Sequence, residues 1–224
     1  MNRKDFKEYK NKFVQATSQI LAEDHAENLD EAGFPAYSNP NPLMNFLFWE
    51  RISHAMREIE KKGRLNKVLD FGCGSGVMLP FLAERAEHII AVDVDLEPLR
   101  RIEKHVSFAE HIHFTDTHKH VEKGSLDLIT ALDVLEHVND LETIVSELAS
   151  LLKPGGEIIV SGPTENIFYQ VGRLLAGPTY SGHYHVRDIY DIENSVQKYF
   201  DVQRIKTLYV PVPLFVIFKG RVKR

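Results

Sequence analysis

The sequence predicts an α/β fold built on a doubly wound, mostly parallel sheet, and three observations carry that reading. Short aliphatic runs alternate with amphipathic segments, the first run opens into a glycine-rich turn, and the composition is that of a folded domain. With 224 residues, 43% of them hydrophobic and 26% charged, the chain sits near globular averages and is long enough for one domain with a sizeable core.

The elements follow in order. Residues 2–24 place Phe6, Tyr9, Phe13, Ile20 and Leu21 at loosely helical spacing among Lys and Glu, so a helix with one apolar face is expected. Residues 32–43, AGFPAYSNPNPL, hold three prolines and a glycine, which predicts a loop or hinge. Helical spacing resumes from Met44 to Lys62. Residues 1–64 therefore form a unit of N-terminal helices and Pro-rich loop, ahead of the main domain at 65–224.

Val68–Phe71, Ile89–Val92, Leu126–Leu132 and Ile158–Val160 read as strands buried on both faces, as a parallel sheet requires. Between the last two, Leu141, Ile144, Val145, Leu148, Leu151 and Leu152 share one helical face behind a capping Asn139, and Pro154, Gly155 and Gly156 end that helix. Short links between strand and helix imply right-handed crossovers. In the tail, Phe200–Tyr209 and Leu214–Lys219 flank a link with Pro211 and Pro213, an arrangement that suits two strands pairing antiparallel at the sheet edge.

Composition also limits function. A net charge of -5 and a pI near 6.1 lack the basic excess that neutralises nucleic-acid phosphates, so no nucleic-acid partner is expected. Cys73 is the sole cysteine, which excludes an internal disulfide and suits a reducing, cytoplasmic setting. The opening MNRKDFKEYKNKFVQ has no apolar stretch of a secretory signal, and the run Leu214–Phe218 falls short of the roughly 20 residues needed to cross a bilayer.

The chemistry concentrates at KVLDFGCGSG, Lys67–Gly76, where a strand ends near Asp70 and opens into Gly72, Gly74 and Gly76 before a helix. Glycine lets the backbone turn tightly and approach a ligand, and a following helix would add N–H groups and the positive end of its dipole. Seventeen residues beyond Gly76, the strand HIIAVDVD reaches Asp93, where a carboxylate can accept both hydroxyls of an adenosine ribose. A dinucleotide fingerprint would need its third glycine at position 77, which is Val77, so an NAD-dependent oxidoreductase is the weaker alternative. Asp70 suits a ligand ammonium better than a pyrophosphate.

These residues resemble the class I S-adenosyl-L-methionine-dependent methyltransferases, and within them the small-molecule branch of ubiquinone-pathway O-methyltransferases. The resemblance runs from Lys67 to Gly162 through five motifs in order: VLDFGCGSG, AVDVD, the Asp116 of HFTDTH, SLDLITALDVLEHV and LLKPGGEIIVSGP. It implies a Rossmann-like, seven-stranded sheet with an antiparallel edge strand, and S-adenosyl-L-methionine as cofactor. By the same resemblance Gly72 and Gly74, with Phe71 and Cys73 among them, would line the cofactor, Asp70 would sit under its amino-acid end, Asp93 would bind the ribose, and Val94 would pack on the adenine. Asp116 and Thr117 would meet the adenine amino group, and Ala131 and Leu132 would touch the methionine part through their backbone. Cys73 is read as a small filler, not a nucleophile.

His137, in DVLEHV just after the fourth strand, is the candidate catalytic base, since an imidazole can take a proton from an acceptor hydroxyl near neutral pH. Capping or ordering the loop is its other reading. LDVLE stands where adenine-modifying enzymes of this fold carry an Asp- or Asn-Pro-Pro-aromatic sequence, which disfavours methylation of bases. The insertion at about 163–186 supplies Tyr169, Arg173, Tyr180, His183 and His185 as substrate-pocket residues. No metal is expected, although the His-x-His of His183 and His185 has a ligand-like pattern. The expected partner is a small-molecule or lipid-like methyl acceptor. The basic end KGRVKR suits an edge strand kept soluble by charge, with weak peripheral membrane contact as its alternative use. A non-catalytic S-adenosylmethionine-binding protein is the remaining alternative.

Overall fold

The computed structural model describes residues 3–23, 29, 32–164, 187–208 and 213–223. In chain order these form α1 (Arg3–Glu23), α2 (Phe34–Tyr37), α3 (Pro42–Glu60), β1 (Leu65–Phe71), α4 (Leu79–Ala83), β2 (Ala86–Val92), α5 (Glu97–Glu103) and β3 (Ile112–Thr115). There follow β4 (Leu126–Leu132), a 3-10 turn at Leu135–His137, α6 (Leu141–Leu151), β5 (Leu152–Pro163), α7 (Ile189–Tyr199), β6 (Phe200–Leu208) and β7 (Phe215–Val222).

The strands make one seven-stranded sheet in the order β3-β2-β1-β4-β5-β7-β6. The first five run parallel, with Asp70 level with Ala91 on β2 and Thr130 on β4. Two covered faces explain the continuous apolar runs. Val68, Leu128, Ile159 and Ile217 point into the core shared with α1–α5. Their neighbours Leu69, Ile129, Ile158 and Phe218 point into the core under α6 and α7.

Chain order reverses between β1 and β4, so the crevice where open α/β sheets bind ligands lies at the carboxyl ends of those two strands. The N-terminal helices reach the same end, where Arg51 of α3 pairs with Asp133 just past β4. Trp49 of α3 packs edge-on against Phe6 and Phe13 of α1 and Tyr37 of α2, with ring centroids 5.5–6.0 Å apart.

Several boundaries depart from the sequence reading. Asp140, not Asn139, caps α6: its backbone is non-helical and its carboxylate accepts from the Thr143 N–H. The Pro-rich segment contains the single-turn α2, which buries Phe34 and Tyr37. The helix after the glycine turn starts only at Leu79, behind the turn residues 74–78, and its five residues give it little macrodipole. The last two strands, β6 and β7, do pair antiparallel at the sheet edge, with β7 running against the others between β5 and β6. No helix among the described residues is long and apolar enough to cross a membrane.

Candidate functional site

The crevice is assembled around the end of β1. Asp70 is buried at 4% exposure, and its Oδ1 accepts a 2.6 Å hydrogen bond from the Thr130 hydroxyl of β4. Burial disfavours the charged carboxylate and pushes its pKa up to about 7; Thr130 opposes this, and the nearby Asp93 adds to it. A buried acid with one neutral partner is poised to meet a cation.

Beyond it the backbone doubles back. Gly72 and Gly74 have φ of 73° and 49°, which side-chain-bearing residues seldom adopt. A Cβ on Gly72 would lie 2.2 Å from Val134, and one on Gly74 would press the Ala32 carbonyl at 3.3 Å. Both positions thus favour glycine for conformation, and Gly72 also for clearance. The amides of Gly72 and Cys73 donate to the Val92 carbonyl at 2.8 and 3.0 Å. Phe71 and Cys73 are buried, and burial pushes the Cys73 thiol well above its ordinary range, which agrees with a filler role. Ser75, 1% exposed in the same turn, has a hydroxyl with no hydrogen-bond partner among the described residues.

Asp93, at the end of β2, faces this turn. Its Oδ2 accepts from the Gly74 N–H at 2.7 Å and its Oδ1 from the Asp95 N–H at 3.3 Å. Burial raises its pKa, while those amide bonds favour the ionised form. Val94 follows with 93% exposure, an unusual position for a large aliphatic residue beside a crevice. Asp116 is exposed just past β3, and Thr117 is half-buried. Ala131 and Leu132 close β4 beside Asp70. The described members of the proposed cofactor set thus gather at one end of the sheet.

His137 lies on the exposed side of the 3-10 turn after β4, and the preceding Glu136 is 1% exposed. Tyr169, Arg173, Tyr180, His183 and His185 fall outside the described residues. Among the described residues no group of three or more His, Cys, Asp or Glu side chains is placed to hold a metal ion.

Other residues enter the crevice without a sequence signal. Asp133, the residue after β4, is at φ 53°, and among the described residues no other non-glycine has a positive φ. Its carboxylate pairs with Arg51 of α3 and accepts from the Ser161 hydroxyl of β5 at 3.0 Å. The Tyr37 hydroxyl bonds the same guanidinium, and burial pushes this phenol up to about 12. From α1, the Tyr9 hydroxyl donates to the Val77 carbonyl, which ties that helix to the glycine turn. Arg51, Tyr37 and Tyr9 come from the N-terminal unit, and nothing in their local sequence marks them.

A family model described as a methyltransferase domain matches residues 45–201. Among curated proteins, the ubiquinone biosynthesis O-methyltransferase of Sodalis glossinidius is 34% identical over 115 residues, covering 48% of this chain and 46% of that protein. Its Escherichia coli counterpart is 32% identical over 114 residues, covering 48% of each. The chain therefore spans about half the length of the curated relatives it matches. Among solved structures, the N-methyltransferase NodS from Bradyrhizobium japonicum, in complex with S-adenosyl-L-homocysteine, superposes with a TM-score of 0.64. It is 17% identical and covers 95% of this chain and 99% of its own, a likeness of fold.

Proposed function

We propose a specific reaction for this chain, which belongs to the methyltransferase-domain family: transfer of a methyl group from S-adenosylmethionine to an oxygen of a small-molecule or lipid-like acceptor. The observation that carries it is the joining of Asp70, the Gly72–Gly74 turn and Asp93 into one cradle at the switch point of the sheet. The oxygen acceptor is supported by the ubiquinone biosynthesis O-methyltransferases among the relatives.

The residues present fit the cofactor. Asp70 would meet its ammonium group, and a cation there favours the ionised carboxylate that burial opposes. The orphaned Ser75 hydroxyl offers a further polar contact. Asp93 keeps lone pairs for a ribose hydroxyl beside the bond from Gly74. Exposed Val94 gives the adenine an apolar face, with Asp116 and Thr117 beyond it. When bound, S-adenosylmethionine supplies an already activated sulfonium methyl, so the chain's own residues need only align the acceptor and receive its proton. His137 is the proposed base. The insertion at about 163–186, with Tyr169, Arg173, Tyr180, His183 and His185, is the proposed acceptor wall, and the unit 1–64 the proposed cover of the cofactor.

Calorimetry tests the cradle: Asp93→Ala and Gly74→Val should each abolish S-adenosylmethionine binding, and unaltered affinity would sink the assignment. His137 is tested separately. Wild-type turnover by His137→Ala across pH 6–9 would remove it as the base. Tight cofactor binding with no methylated product from any acceptor in a broad panel would favour the non-catalytic reading.

A further inference from the structure

Resting on the methyl-transfer reading, we propose that Asp133 selects the acceptor: its carboxylate, held by Arg51 and Ser161 at the carboxyl end of β4, accepts a hydrogen bond from a neutral or cationic donor group and turns anionic groups away.

The starting observation is the backbone. Asp133 sits at φ 53°, a conformation that residues with a Cβ seldom adopt and that persists where its surroundings enforce it. The enforcing contacts are visible. Its N–H donates to the Ser161 carbonyl at 2.9 Å, and the Ser161 hydroxyl returns a 3.0 Å bond to Oδ1. The guanidinium of Arg51 pairs with Oδ2, and its carbon lies 5.2 and 4.9 Å from the ring centroids of Phe48 and Phe215.

The pair is asymmetric. The Arg51 side chain keeps 5% exposure and that of Asp133 keeps 20%, so the cation lies behind and the carboxylate in front. A carboxylate has about four acceptor positions, and Arg51 and Ser161 leave lone pairs on the open edge. A buried ion pair is a poor device for stability, because apolar residues of similar volume often do as well or better. Asp133 directly follows Leu132 at the carboxyl end of β4, where the reversal of chain order puts the crevice of an open α/β sheet, and its partly exposed carboxylate is instead placed to bind. Like charge against a fixed carboxylate is costly, so the group it meets is a hydroxyl, amine or ammonium.

The experiment uses protein saturated with S-adenosylhomocysteine and three phenols that differ in one substituent: 3-hydroxybenzyl alcohol, 3-hydroxybenzylamine and 3-hydroxybenzoate. Wild type should bind the alcohol and the amine about tenfold or more tighter than the benzoate, and Asp133→Asn should narrow that gap to about threefold or less. Asparagine tolerates the left-handed backbone. Because the variant leaves Arg51 buried without a carboxylate, Arg51→Met with Asp133→Asn removes both charges and should narrow the gap equally. Affinity for S-adenosylhomocysteine should stay at the wild-type value in both. Equal binding of the benzoate by wild type, an unchanged gap in both variants, or no binding by any of the three overturns the proposal. Failure of S-adenosylhomocysteine to bind wild type is a separate result and overturns the methyl-transfer reading itself.

Discussion

Two halves of the crevice are held in different ways. On the cofactor side, the Gly72–Gly74 turn is fixed by bonds from its own amides to Val92 and Asp93, on the adjacent strand. On the proposed acceptor side, Asp133 is fixed by Arg51, which arrives from α3, and by Ser161 on β5. Local backbone therefore shapes the first half, and long-range charge pairing shapes the second. Damage to each should have a different signature: lost cofactor affinity in one, lost fold stability and altered acceptor choice in the other.

The largest expected effect tests the acceptor half. Arg51→Met alone leaves the half-buried Asp133 carboxylate without its cation and should destabilise the protein by about 3–4 kcal/mol, whereas adding Asp133→Asn should recover much of that loss. Urea denaturation of both single variants and the double variant measures the coupling. Additive losses would show that the two side chains do not act as a pair.

Next in size is Gly72→Ala. A positive φ and a Cβ that would meet Val134 at 2.2 Å should together cost roughly 2–4 kcal/mol. Unlike the Arg51 variant, it should also weaken S-adenosylhomocysteine binding, because the turn itself must shift. A binding isotherm matching wild type would blur the distinction between the halves.

Asp70→Asn sharpens the cofactor half through pH. The folded-state pKa of Asp70 is raised from 3.8 to about 7. Between those values the native state holds a proton that the unfolded chain has released, so this group lowers stability progressively as pH rises through that window. The asparagine variant should lose that slope and melt higher than wild type at pH 8, yet bind S-adenosylmethionine more weakly. Melting curves at pH 5 and pH 8 decide it, and an equal pH dependence in the two proteins would remove the burial effect assigned to Asp70.

How legible each half was in the sequence follows from the same physics. VLDFGCGSG and AVDVD are contiguous, and their strands, turn and acids come from neighbouring residues, so the convergence of Asp70, the glycine turn and Asp93 that makes up the proposed cofactor cradle was legible in the sequence. Asp133 could not be read in that way. Its left-handed backbone and its partner Arg51 are products of tertiary packing, and α3 shows only helical spacing. Asn139 and Asp140 illustrate a finer limit, since both residue types cap helices and only backbone geometry separates them. The short α4 is similar: Pro80 stands in its first turn, yet the preceding turn residues postpone its start to Leu79. The insertion that supplied Tyr169 and His183 lies outside the described residues, so the acceptor wall still rests on sequence.

The smallest expected effect is a control far from both halves. Asp140→Ala removes the cap of α6 and should lower the melting temperature slightly, with cofactor affinity and phenol preference unchanged. A change in either would mean that the two halves are coupled through α6.

The central claim, that Asp70, the glycine turn and Asp93 form an S-adenosylmethionine site and not a dinucleotide site, is tested most directly by titrating the wild-type chain with S-adenosylhomocysteine and with NAD in the same calorimeter. One equivalent of S-adenosylhomocysteine should bind, with no heat from NAD. Saturable binding of NAD, with none of S-adenosylhomocysteine, would contradict it.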